Sequence, residues 1–115
     1  HKVIRIKGMI VFQKDVLSEF DDLIFTLYEK NYFSTLEAAK NYVNTILDFI
    51  QVNIETFPSK NSPLKLKHFG KNYIFYKSSK RTTWFIFYES QASNYLITKI
   101  VNNHVAEANL LHSDG

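Results

Sequence analysis

The apolar pattern changes period near Pro58, and that change constrains the fold more than any other feature of the chain. Before it, "KDVLSEFDDLIFTLYEKN" places Val16, Leu17, Phe20, Leu23, Ile24, Leu27 and Tyr28 at helical spacing, with acids on the opposite side. "NYFSTLEAAKNYVNTILDFIQVNIETFP" repeats the signal through Ala39, Val43, Ile46, Leu47, Ile50 and Ile54. Asp15 is placed to cap the first helix, and Ser34 with Glu37 forms an S-x-x-E capping box for the second. After Pro58 the runs "NYIFYK", "TTWFIFYE" and "NYLITKIV" are aromatic and β-branched, as strands prefer. The links "SSKR" and "SQAS" are short enough to join antiparallel neighbours.

A further β-type run, Met9–Phe12, precedes the helices, and "VIRI" lies before it, split off by Gly8. The expected fold is therefore α+β in the order β-α-α-β-β-β. A helical hairpin packs on one face of a small, mostly antiparallel sheet. A length of 115 residues makes one domain, 1–115. His1 is not a natural first residue, so the chain is expected to begin inside a longer sequence; residues 1–8 read either as native or as partly foreign, and residues 112–115 read as a tail. Ten Phe, seven Tyr and one Trp give so short a chain enough ring area to build a core. Trp84 and Tyr88 fall on one face of their strand, and Phe85 and Phe87 on the other; the outward set would be free to stack on bases.

Charge is arranged in sequential blocks. From Phe12 to Glu55 three Lys face eight acids, a balance of −5. From Thr56 to Ile100 seven Lys and Arg81 face Glu89 alone, a balance of +7. A basic block of this kind attracts polyanions. Without cysteine the chain has no disulfide, thiolate metal site or Cys nucleophile. It carries neither a P-loop nor an H-E-x-x-H motif, so no cofactor or metal is expected. No apolar run is long enough to span a bilayer, and a cytoplasmic location is expected.

The chain closes its last strand on "YLITKIVNNH", a β-type run ending in three hydrogen-bonding side chains. If the strand continued, Asn102 and His104 would share one face and Asn103 would point to the other. Either a phosphate- or base-contacting cluster or a structural knot at the sheet rim would account for them.

Element order and content together resemble the RelE/ParE superfamily of bacterial toxins from type II toxin–antitoxin pairs. The resemblance is carried by "MIVFQKDVLSEFDDLIFTLYEKNYFS", "PLKLKHFGKNYIFY", "KRTTWFIFYE" and "YLITKIVNNHVAEANLL", over roughly Met9–Leu111. It implies a concave surface on the sheet face away from the helices. Family members that cut messenger RNA on the ribosome line that surface with Lys and Arg; ParE-type members poison DNA gyrase without chemistry. Both kinds are neutralised by a cognate antitoxin, and such pairs serve in plasmid stabilisation.

Carried over residue by residue, the resemblance puts Lys65 and Lys67 where ribonuclease members hold cations, and His104 where the family often has Arg. The family's mid-hairpin Arg aligns with Trp84, a departure that replaces a phosphate clamp with a stacking surface; Arg81 is the nearby substitute. A late Tyr of some members has no counterpart in "EANLLHSDG". The expected catalytic set is thus His104, Arg81, Lys67 and Lys65, with Lys71, Trp84, Lys99 and Asn102 contacting nucleic acid. Making a cyclic phosphate requires a proton acceptor, a proton donor and cations on the phosphate; His supplies the first two near neutral pH and Lys or Arg the third. The implied function is a metal-independent endoribonuclease toxin acting on messenger RNA at the ribosome. The alternatives are a gyrase-directed toxin and an inactive member that only binds its antitoxin.

Overall fold

The computed structural model describes residues 9–111, so the expectations for residues 1–8, the "VIRI" run among them, and for 112–115 lie outside the described residues. The elements are β1 (Ile10–Phe12), α1 (Lys14–Glu29), α2 (Leu36–Asn53), β2 (Lys60–Asn61), β3 (Asn72–Lys77), β4 (Thr83–Gln91) and β5 (Asn94–Asn102). Two 3-10 turns follow the helices, Leu64–Leu66 and Ala106–Leu110. The chain is α+β as expected, with the two-residue β2 as the one added strand.

Five strands form one sheet in the order β1-β5-β4-β3-β2. β1 runs parallel to β5, pairing Ile10 with Tyr95 and Phe12 with Ile97, and the other pairs are antiparallel. The β4–β5 register slips between Phe87 and Tyr88: Phe87 faces Lys99 and Tyr88 faces Ile97, which leaves Thr98 as the extra, bulged residue. Its hydroxyl donates to the Phe69 carbonyl, tying the turn after Leu66 to the sheet.

Local chemistry sets the helix ends, and two expectations are corrected there. The N-cap of α1 is Gln13, without a side-chain bond, and Asp15 sits inside the first turn. There its carboxylate meets the positive end of the helix dipole instead of capping it. The N-cap of α2 is Thr35, whose Oγ1 accepts from Ala38 N–H at 3.1 Å. The capping box from Ser34 to Glu37 therefore does not form, because the extended residue is one position later. Between the helices Asn31 adopts φ 60°; its N–H donates to the Tyr28 carbonyl (3.1 Å) and Tyr32 N–H to the Leu27 carbonyl (3.0 Å). This pairing is a Schellman closure, and it turns the chain sharply with Tyr32 left outside.

The helices and the sheet enclose the main core. Val16, Phe20, Val43, Ile46 and Ile50 meet Ile74, Trp84, Ile86, Tyr88 and Ile97. The opposite sheet face is covered as well: Tyr73, Phe85 and Phe87 pack under Leu66, Phe69, Ala108 and Leu111 from the turns. Each such side chain taken fully out of water contributes roughly 1.5–3 kcal/mol. A sheet buried on both faces explains why β4 reads as an almost unbroken apolar run.

Candidate nucleic-acid interface at the end of the sheet

The strand-closing Asn102-Asn103-His104 segment works as a clasp. Asn103 Oδ1 accepts from the Thr83 N–H (3.0 Å), and its Nδ2 donates to the Arg81 carbonyl (2.9 Å). Asn103 N–H also donates to the Thr83 carbonyl at 3.0 Å. Asn102 Oδ1 accepts from His104 N–H at 2.9 Å, which bends the backbone out of the strand. The imidazole Nε2 then lies 3.3 Å from Thr82 Oγ1. Because the strand ends at Asn102, the expected alternation of Asn102 and His104 on one face stops there. The clasp instead fixes His104 beside the β3–β4 turn, with Arg81 in that turn.

Next to the clasp a cleft of about 450 Å³ opens between α1, the α1–α2 turn and the ends of β4 and β5. Leu23, Leu27, Tyr32, Phe33 and Trp84 supply its apolar surface, and Lys30 and His104 its cationic and titratable groups. A directed chain of hydrogen bonds holds one wall. Trp84 Nε1–H, which can only donate, bonds to Tyr42 Oη (2.9 Å). Tyr42 then donates to Ser78 Oγ (2.8 Å), and Ser78 donates to the Thr82 carbonyl (3.3 Å). Phe33 leans on Tyr42 with ring centroids 5.4 Å apart.

The expected site residues divide into four places. Arg81, Trp84, Asn102 and His104 come together at this end of the sheet. Trp84 faces the helices, buried to 6 % exposure, so only its edge is offered to the cleft. Lys65 and Lys67 belong to a 3-10 turn and its cap, and do not lie on an extended strand sharing one face. That turn is pinned at mid-sheet: Phe69 packs on Phe87 at 5.3 Å, four residues along β4 from Thr83 and thus roughly 13 Å away. Lys71 lies at the opposite end, where its N–H bonds Glu89 Oε2 at 2.6 Å and its Nζ sits 4.0 Å from Oε1. Lys99 crosses the free edge of β5, donating to Glu19 Oε1 at 3.1 Å and lying 5.5 Å from the centre of the Phe69 ring.

The surface expected to be the basic one, the sheet face away from the helices, is instead roofed by apolar turn residues. Lys65, Lys67, Lys71 and Arg81 sit in turns or next to strand ends, and Lys99 lies within β5. Lys30, Lys65, Lys67 and Arg81 make no ion pair among the described residues. The helix-side residues of the cleft, Lys30, Tyr32, Phe33 and Tyr42, were not expected from sequence. The signal that would have found them is Asn31, a residue type suited to left-handed turns, followed by two rings outside any amphipathic stripe. Among the described residues no group of three or more His, Asp or Glu could hold a metal ion, and no helix is long and apolar enough to cross a membrane. No protein family, no curated protein and no solved structure matches this chain.

Proposed function

We propose that the protein is the toxin of a type II toxin–antitoxin pair and cleaves messenger RNA, as its resemblance to the RelE/ParE superfamily implies. The observation that carries this reading is the clasp: Asn103 bonds the Arg81 carbonyl, and Asn102, accepting from His104 N–H, turns the His104 imidazole toward Thr82. A histidine beside a guanidinium-bearing turn is the minimal equipment for moving the 2′-hydroxyl proton and holding the charge that grows on phosphorus. In this reading His104 exchanges the proton and Arg81 holds the scissile phosphate. Lys65 and Lys67, further along the sheet, hold neighbouring phosphates of the strand. The target and an antitoxin partner place it in the bacterial cytoplasm.

The test is purified protein with single-stranded RNA, reading the termini of the products. The proposal expects a 2′,3′-cyclic phosphate on one fragment and a 5′-hydroxyl on the next, both lost in His104→Ala. Growth arrest that survives both His104→Ala and Arg81→Ala would contradict it and indicate a protein target such as gyrase.

A further inference from the structure

We propose that the cleft between the α1–α2 turn and the end of the sheet seats one nucleotide of a single-stranded RNA. Its base lies among the rings and its phosphate lies between Lys30 and His104. This deepens the preceding proposal and rests on it for the source of the nucleotide, while the cleft itself rests on separate observations.

The first observation is charge. Two other clefts of the molecule each carry a carboxylate, Glu89 in one and Glu19 in the other, and a third, beside Lys60, carries none. This cleft has no acid in its lining although α1, the most acidic element, forms one wall. Asp21 and Asp22 of α1 are exposed and absent from the lining, and Lys30 is the charged residue that α1 and its cap present there. An anion entering meets a cation and an imidazole and no carboxylate in the lining.

The second observation is the rings. Tyr32 is 70 % exposed, held outside the core by the Schellman closure at Asn31. Phe33 and the Trp84 edge line the same space. Aromatic surface left against solvent beside a cation is the composition that binds the flat face and the phosphate of a nucleotide together. A volume of about 450 Å³ suits a ligand of that size. The Tyr42 hydroxyl already accepts from Trp84 and donates to Ser78, so that wall makes little demand on the polar edge of a base. The cleft therefore discriminates nucleotide from nucleoside, and one base from another only weakly.

The chain holds a single tryptophan, so its indole N–H gives one reporter signal from inside the cleft. The experiment titrates uniformly 15N-labelled protein with adenosine monophosphate, adenosine, inorganic phosphate and a four-residue RNA. Adenosine monophosphate is expected to shift the Trp84 indole signal and the amides of residues 30–33 and 102–104, saturably. Adenosine and phosphate are each expected to bind roughly tenfold or more weakly. Lys30→Ala and Tyr32→Ala, both exposed and outside the core, should each weaken the nucleotide roughly tenfold while leaving the remaining spectrum unchanged. The short RNA should bind more tightly than the mononucleotide.

No saturable shift, or equal affinity for phosphate alone, overturns the cleft. RNA binding no tighter than the mononucleotide overturns the assignment to an RNA strand. RNA cleavage without any nucleotide-induced shift leaves the ribonuclease reading standing and removes this one. A nucleotide-induced shift without RNA cleavage does the reverse.

Discussion

The two ends of the sheet each carry a cation of the same basic block, and only one of the two cations is compensated among the described residues. At the end formed by β1 and the β4–β5 turn, Lys71 is met by Glu89, which takes both its backbone N–H and its ammonium. At the other end, formed by the β3–β4 turn and the close of β5, the side chain of Arg81 has no acidic partner among the described residues. His104 stands beside it, held by the Asn103 clasp. One end neutralises its own charge and the other leaves it for something else. Self-repulsion among uncompensated cations opposes folding, so a polyanionic ligand is the simplest reason for the second arrangement. Net charge along the chain does not separate the two ends, because Lys71 and Arg81 belong to the same basic block.

The largest effect should come from breaking the charged end. His104→Ala is expected to lower RNA cleavage by about 10²–10⁴-fold, and Lys71→Ala, at the neutralised end, to leave the rate close to that of the unaltered protein. Single-turnover cleavage of one labelled RNA compares the two directly. Equal losses would remove the distinction between the ends.

The clasp should rank next. Asn103→Ala removes an acceptor for Thr83 N–H and a donor to the Arg81 carbonyl, and is expected to cost about 1–3 kcal/mol of stability. Asn103→Asp sharpens the comparison, because it keeps the acceptor and supplies the charged end with the acid that Lys71 already has. It should weaken RNA binding more than its stability loss explains. Urea denaturation alongside RNA titration separates the two effects.

Gly70 tests the mid-sheet turn that carries Lys65 and Lys67. Its φ is +155°, and an added Cβ would stand 3.0 Å from Tyr88 N and 3.1 Å from Phe87 Cβ. Gly70→Ala should destabilise by roughly 1–3 kcal/mol, with loosening of the Leu66 and Phe69 packing visible by hydrogen exchange at residues 64–70. Lys67→Ala should leave stability intact and reduce the salt dependence of RNA binding by close to one released counterion, roughly 0.7 in the slope for a single strand.

How far the sequence could be read depended on which contrast each element offered. The two helices were legible because each has one apolar stripe and one polar face; Val43, Ile46 and Ile50 are all buried on the expected side. The cap at Thr35 was missed because Ser34 and Thr35 both offer a hydroxyl, and only the backbone decides which residue is extended. β2 was missed because two residues carry no period. In β4 the alternation of Trp84 with Phe85 was legible, but the face meeting the helices was not. Both faces are buried, so the polar contrast that would have decided it is absent. The roof over the second face comes from Leu66, Phe69, Ala108 and Leu111, residues in turns where spacing says nothing about direction. The placement of His104 beside the turn of Arg81 depends on Asn103 bonding the Arg81 carbonyl 22 residues away in sequence, a contact that no local pattern encodes.

The smallest expected effect belongs to the neutralised end. Tyr95, at that end, has its phenol pKa raised by burial first and then by the Glu55 carboxylate and Tyr88. A phenol harder to ionise in the folded than in the unfolded chain contributes stability below its ordinary pKa of about 10 and loses it as pH rises through the folded value. Thermal melting should therefore fall slightly on the alkaline side, and Tyr95→Phe should flatten that limb without touching RNA cleavage.

The most direct test of the difference between the ends is a map of amide shifts on binding a short single-stranded RNA, recorded at two salt concentrations. The account predicts that perturbations concentrate at residues 30–33, 81–84 and 102–104, fade with added salt and leave Lys71, Glu89 and Tyr95 unmoved. Perturbations of equal size at both ends, or centred on Lys71 and Glu89, would contradict it.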